Sequence, residues 1–371
     1  MKIICNTSVL AEACNIVQRG VPQKSTLPAT EGIYLQAKNS QLTLTGYDLE
    51  VGITTTIECS TEAEGSIVLN ARLLCDILRR LPSQSVTINC DSHNLCKITS
   101  GEAEFSLVGI PADDYPELPT VSGGIPFAIK QGILKNMVKQ TIFAVAVQDI
   151  KPVHKGIKFE VENNNLRLIS CDGFRLAIRN ETIEYAGEDM TFVVPAKTLS
   201  EVVKLTDNDD SNITFSIGKK FILFEIGNYT IISRLLEGEF FNYKNAIPSE
   251  STTKARVNLK LILDSVERTS LLITSKIKSP VRCIFDDNTI RISSATSLGA
   301  ATDKIPASIE GKRLEIGFNN SYLTDCLRTV DVDEVKIELS SPVSPIIVKP
   351  VEGDNFIFLI IPMRLKNENI G

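Results

Sequence analysis

The chain has 371 residues, 43 % hydrophobic and 23 % charged, with a formal net charge of −6. That length exceeds one ordinary core and points to two or three domains, and no apolar run reaches the roughly 18–20 residues that span a bilayer. The N-terminus MKIICNTSVL has one Lys and no sustained apolar stretch, so it does not read as a signal peptide and a cytoplasmic location is expected.

In chain order, one pattern occurs three times. An amphipathic helix opens each segment, over Thr7–Lys24, Lys130–Gln140 and Asn258–Arg268, with apolar residues at helical spacing such as Leu10, Ala13 and Val17. Short alternating strands follow, for example Gln41–Thr45, Asn165–Ser170 and Asn288–Ser293. A second helix then starts near Asn70, Pro195 and Asn319 or Asn320. Further strands close each segment and end in apolar–proline stretches. Asp48 matches Asp172 and Arg72 matches Lys197, about 124 residues on in each case. A period this long implies three domains rather than a solenoid. The expected limits are 1–123, 124–252 and 253–371, with linkers near Ser122-Gly123-Gly124 and Ser249–Lys254. The expected fold class is α+β, each domain placing two helices against antiparallel sheet.

The low pI of about 5.3 argues on its face against nucleic acid. The helices change that reading. The windows 7–24, 70–80, 130–140, 196–204, 258–268 and 319–329 hold 13 Lys or Arg against 6 Asp or Glu, a net +7, which leaves −13 for the remainder. If those helices share one side, that side meets phosphates while the acidic strands face water. Contact with the backbone alone permits movement along a duplex.

Catalytic chemistry is poorly provided for. His93 sits in the polar turn DSHNLC and His154 in a loop after Pro152-Val153, too few histidines for a dispersed acid–base site. Gly218-Lys219-Lys220 and Gly311-Lys312-Arg313 lack the lead-in of a phosphate loop and read as hairpin turns. Asp113-Asp114 precedes Tyr115-Pro116 in a turn and reads as no metal site. The nine cysteines form no C-x-x-C pair and read as reduced thiols, without disulfide or metal. No enzyme, metal or cofactor is expected.

Several motifs in order resemble the bacterial DNA sliding clamp family, the β subunits of DNA polymerase III. They are TLP at Thr26–Pro28, LTGYDLE at Leu44–Glu50, DYPELP at 114–119, CDGFRLA at Cys171–Ala177, EGEFFNY at Glu237–Tyr243, IGFNNSYL at Ile316–Leu323 and PMRL at Pro362–Leu365. The resemblance covers Met1 to Leu365. It implies three tandem clamp domains and a head-to-tail homodimer whose six domains form a ring around duplex DNA, without sequence preference. It implies a processivity role in DNA replication, with the polymerase III α subunit, a clamp loader and other proteins docking through a short hydrophobic peptide.

Carried over by position, the peptide pocket comprises His154, Cys171, Gly173, Phe174, Arg175, Leu176, Phe241, Asn245 and Ala246. It continues through Asn319, Tyr322, Val343, Pro345, Leu359, Ile361, Pro362, Met363 and Arg364. The resemblance places Lys24, Arg72, Arg79, Gln148 and Lys197 near DNA; the charge count adds Arg80, Lys135, Lys139 and Lys204. The implied dimer seam holds Leu73, Phe105, Leu107, Leu271 and Leu272, with Glu102 and Glu104 where the family commonly has bases. Across it, Ala300, Ala301 and Thr302 replace part of an acidic run and leave Asp303 and Lys304. Phe174, Cys171, His154, Phe241 and Asn245 also depart from the commoner pattern, so the preferred peptide is expected to differ. The tail Lys366–Gly371 is expected to be a disordered extension beside the pocket.

Overall fold

The computed structural model describes residues 1–121, 125–148, 151–185, 187–207, 211–274, 277 and 279–365. The linker Ser122–Gly124 and the tail Lys366–Gly371 lie outside the described residues. Two compact units form, Met1–Gly132 with Lys197–Leu235, and Ile133–Ala196 with Leu236–Gly371. The helices are α1 Thr7–Val17, α2 Ala71–Leu78, α3 Gln131–Ile142, α4 Ala196–Leu205, α5 Leu259–Thr269 and α6 Asn320–Arg328. No helix among the described residues is long and apolar enough to cross a membrane.

The start of each terminal helix follows from one residue. Asn6, Asn70, Asn258 and Asn319 each turn a side-chain oxygen back to a first-turn backbone N–H, which satisfies a donor the helix leaves over. The first helix ends earlier than expected. It stops at Val17, continues as a 3₁₀ turn to Gly20, and leaves Lys24 on a loop. Val21 precedes Pro22 and is extended, at φ −93° and ψ 131°. At Gly20 a side chain would come within 2.6 Å of the Gly46 carbonyl oxygen, so the turn packs directly on backbone.

Among the described residues every strand ladder is antiparallel, and the strands build four sheets, of five, eight, nine and four strands. The eight-stranded sheet arises in the first unit where Val51–Glu58 pairs with Tyr229–Arg234. The nine-stranded sheet arises in the second unit where Arg175–Thr182 pairs with Phe356–Ile360. Both joints link strands of successive repeats. The other two sheets keep free edges at Ala103–Val108 and Gly299–Pro306. In the second unit Phe358 and Phe356 stack at 4.9 Å, and Phe143 meets Phe358 edge-on at 5.3 Å, within a continuous apolar core.

Two further expectations from sequence fail. Gly311-Lys312-Arg313 is not a hairpin turn: Ser308–Gly311 pairs with Thr253–Asn258, whereas Leu314–Phe318 pairs with Val281–Asp286 in another sheet. The segment crosses between sheets, which local turn residues do not reveal. The second failure concerns the thiols. Cys90 and Cys96 form a disulfide, with Cα atoms 4.0 Å apart. They face each other across the antiparallel strands Ser85–Cys90 and Leu95–Ser100, a closeness set by register rather than by a spacing motif. The other seven cysteines take no part in a disulfide.

Candidate functional site

The second unit carries an apolar groove of about 240 Å³. Its floor is the joint between Arg175–Thr182 and Phe356–Ile360, where Leu176 faces Leu359. The Phe174 carbonyl accepts the Ile361 N–H at 2.9 Å and extends the pairing by one residue. Cys171, Gly173 and Phe174 come from the turn before the first strand, Ile361 from the end of the second. His154, Phe241, Ala246 and Pro345 complete the walls together with Arg175. The His154 ring packs edge-on to Phe240 at 5.6 Å.

The turn Cys171–Arg175 is held by Asp172. Its Oδ1 accepts the N–H groups of Phe174 and Arg175, both at 2.9 Å, and Gly173 takes φ +87°, where glycine is favoured. Oδ2 pairs with the Arg175 Nε at 3.0 Å while the other end of the guanidinium reaches Asp325 at 2.7 Å. Arg175 also lies over the rings of Tyr322, at 4.7 Å, and Phe143, at 5.4 Å. Thus the one cationic side chain in the groove lining is neutralised and fixed from four directions. It shapes the wall without demanding an acidic ligand. Phe174 is 57 % exposed and stacks on Tyr322 at 5.9 Å, forming an aromatic rim.

Eleven of the eighteen expected pocket residues form this lining. The others are placed as follows. Tyr322 backs Phe174, Asn319 caps α6, and Met363 donates its N–H to the Gly317 carbonyl at 2.8 Å. Val343 is 67 % exposed and Met363 36 %; Asn245 lies in the 3₁₀ turn Tyr243–Ala246; Pro362 and Arg364 flank Met363. Sequence reading missed the supports, Asp172, Asp325 and Phe143, whose role depends on long-range pairing.

The corresponding place in the first unit is closed. Asp48 makes the same turn, accepting from Glu50 and Val51, but Gly52 stands where Leu176 would. A side chain on Gly52 would meet Ile232, Leu118 and Tyr47 within 3.3 Å. Those residues occupy the space that the second unit leaves open.

A charged cluster lies beside the groove. Tyr243, in the turn that supplies Ala246, donates its hydroxyl to Glu160 at 2.7 Å, and Lys158 and Arg167 pair with the same carboxylate at 2.7 and 3.3 Å. Burial pushes the Tyr243 hydroxyl up to about 12, helped by that bond. Burial also works to raise the Glu160 carboxyl, but Lys158, Tyr243 and Arg167 together hold it below its ordinary value. A depressed carboxyl stabilises the fold above its unfolded pKa, and that contribution is lost as pH falls through the folded value. Stability measured by urea unfolding is therefore expected to drop below about pH 4.3, and Glu160→Gln is expected to flatten that acid limb.

Four of the expected DNA-facing side chains are cations held by neighbours. Lys197 at the start of α4 pairs with Asp48, and Lys204 with Glu201 at 2.7 Å. Arg79 bonds Asn15 on α1 and, like Arg80, approaches Asp76. Lys24, Arg72, Lys139 and Gln148 are exposed, while Lys135 is half-buried. The residues expected at the seam are accessible: Leu73 is 47 % exposed, Phe105 37 % and Leu271 79 %, with Leu107 and Leu272 half-buried. Among the described residues no cluster of His, Cys, Asp and Glu could hold a metal ion.

Three family models match the chain in order: DNA polymerase III beta subunit N-terminal domain at residues 1–119, central domain at 128–242 and C-terminal domain at 244–364. A beta sliding clamp from Staphylococcus epidermidis is 32 % identical over 360 residues, covering 94 % of this chain and 96 % of its own. One from Halalkalibacterium halodurans is 31 % identical, covering 98 % and 100 %. The solved DNA polymerase sliding clamp of Bacillus subtilis is 30 % identical and covers 99 % and 100 %, with a TM-score of 0.96. A putative DNA polymerase III beta subunit from Eubacterium rectale is 33 % identical and covers 98 % and 100 %, with a TM-score of 0.95.

Proposed function

The chain belongs to the DNA polymerase III beta subunit family, and from that premise we propose how it carries out its work. It is a sliding clamp, a processivity factor that keeps a DNA polymerase on DNA during replication. In our reading three domains, 1–123, 124–252 and 253–371, form half of a six-domain ring. A head-to-tail homodimer completes it, encircling duplex DNA in the cytoplasm. The ring catalyses nothing; retention is topological, so weak contact through Lys24, Arg72, Arg79, Arg80, Lys135, Lys139, Gln148, Lys197 and Lys204 is sufficient. The pairing of Lys197 and Lys204 with neighbouring carboxylates favours such weak contact, which does not stall movement.

The open, neutralised groove around Leu176 is the observation that carries the partner side of this reading. Its volume is below the roughly 300–1,000 Å³ of most small-molecule sites, and its apolar walls accept a few anchor side chains of a peptide. The polymerase III α subunit, the clamp loader and other motif-bearing proteins would compete for it. Primer extension with polymerase and loader tests the proposal: product length per binding event should rise on adding the chain, and a saturating apolar clamp-binding peptide should abolish the gain. No gain in length would contradict it.

A further inference from the structure

Two internal joints of the chain use the same register, and the free edges supply the strands for a third. The strands Val51–Glu58, Arg175–Thr182 and Gly299–Pro306 occupy equivalent places. Each pairs with a strand that has just left a hairpin of left-handed residues, at Asn39-Ser40, Asn163-Asn164 and Asp287-Asn288, and the pairing sets Gln41 opposite Glu58, Asn165 opposite Thr182 and Thr289 opposite Pro306. On the other side of the joint, Tyr229–Arg234 and Ala103–Val108 each follow a turn with a left-handed glycine, Gly227 or Gly101. Those turns pair Ile226 with Tyr229 and Ser100 with Ala103.

The joints align these positions in one way. Thr55 faces Tyr229 and Ile53 faces Ile231 in the first unit; Arg179 faces Phe356 and Ala177 faces Phe358 in the second. Transferred to the free edges, this register sets Asp303 opposite Ala103 and Ala301 opposite Phe105. One step further, Lys304 falls opposite Glu102.

Resting on the head-to-tail reading above, we propose that the dimer seam repeats this register and pairs Glu102 with the partner subunit's Lys304. The charges on that face of the two sheets agree. Lys304 lies beside Arg291 in its own sheet, and both are exposed. Glu102 and Glu104 are exposed at the opposite edge, where Lys97 pairs with Glu104 at 2.7 Å. Asp303 alternates to the helix side and is held by Arg268 at 2.7 Å. Arg282, further into the sheet, is matched by Glu315 at 2.8 Å. An acidic edge therefore meets a basic one, with directly opposed side chains close enough to interact. Phe105 is brought against Ala301, a small residue that leaves room for the ring. The seam gains its specificity from this polarity: an edge with bases at 102 and 104 would be repelled by Lys304 and Arg291.

Sedimentation over a dilution series tests the pairing, with circular dichroism confirming that each variant is folded. E102K and K304E should each weaken the dimer about tenfold or more, because both seams lose an attraction and gain a repulsion. The combined E102K/K304E variant, with its charges exchanged, should return to within about threefold of the unaltered chain. Unaffected single variants, or a double variant as weak as the two single effects combined, would overturn the pairing. A chain that stays monomeric without any substitution would instead overturn the head-to-tail assembly on which the pairing rests.

Discussion

Phe358→Ala is expected to cost about 3–5 kcal/mol of unfolding free energy, the range for removing a buried aromatic ring from a packed core. Phe358 is fully buried and lies between Phe356 and Phe143. It also sits on the strand that joins the second and third repeats, opposite Ala177. The small partner leaves the ring to fill that layer, so neighbours have little means of closing the cavity. A urea titration followed by circular dichroism measures the effect. A loss below about 1 kcal/mol would show that the core collapses around the gap far more readily than this packing allows. The groove is built on the same strand pair, so peptide affinity should fall in parallel with stability.

Met363→Ala and Leu176→Ala are each expected to weaken binding of a polymerase-derived apolar peptide by about 1–3 kcal/mol, with the dimer intact. The two residues differ in what else they do. Leu176 is 3 % exposed and belongs to the core cluster under the groove, so its truncation also lowers stability. Met363 is 36 % exposed and is anchored through its backbone to Gly317. Its side chain is free to contribute to a ligand at little cost to the fold. Calorimetric titration separates the cases: affinity loss without a stability change at Met363 marks a binding role. Unchanged affinity in both variants would remove the groove from the peptide-binding reading.

The helices were legible because their signals are local. Asn6, Asn70, Asn258 and Asn319 announce starts, and apolar spacing defines the buried faces. The end of α1 was written locally too, in Gly20 and in Val21 before Pro22, and the expected span to Lys24 overran those stops. Strand pairing, which local signals do not specify, hid the Cys90–Cys96 bridge, fixed by register, and the crossing at Gly311–Arg313. In the groove, motif resemblance named the walls, but not their supports. Asp172 could be recognised as a turn residue from the D-G pair that it begins, whereas Asp325 lies 150 residues from the Arg175 it holds. The closed groove of the first unit was equally hidden: Gly52 carries no signal until Tyr47, Leu118 and Ile232 are seen around it.

Retention on DNA tests the ring most directly. Loaded by its loader onto nicked circular duplex, the protein should stay bound through high salt and leave promptly once the circle is cut to a linear form. Escape from the intact circle on raising salt alone would contradict topological linkage, since it would mean that the helix cations hold the DNA by charge.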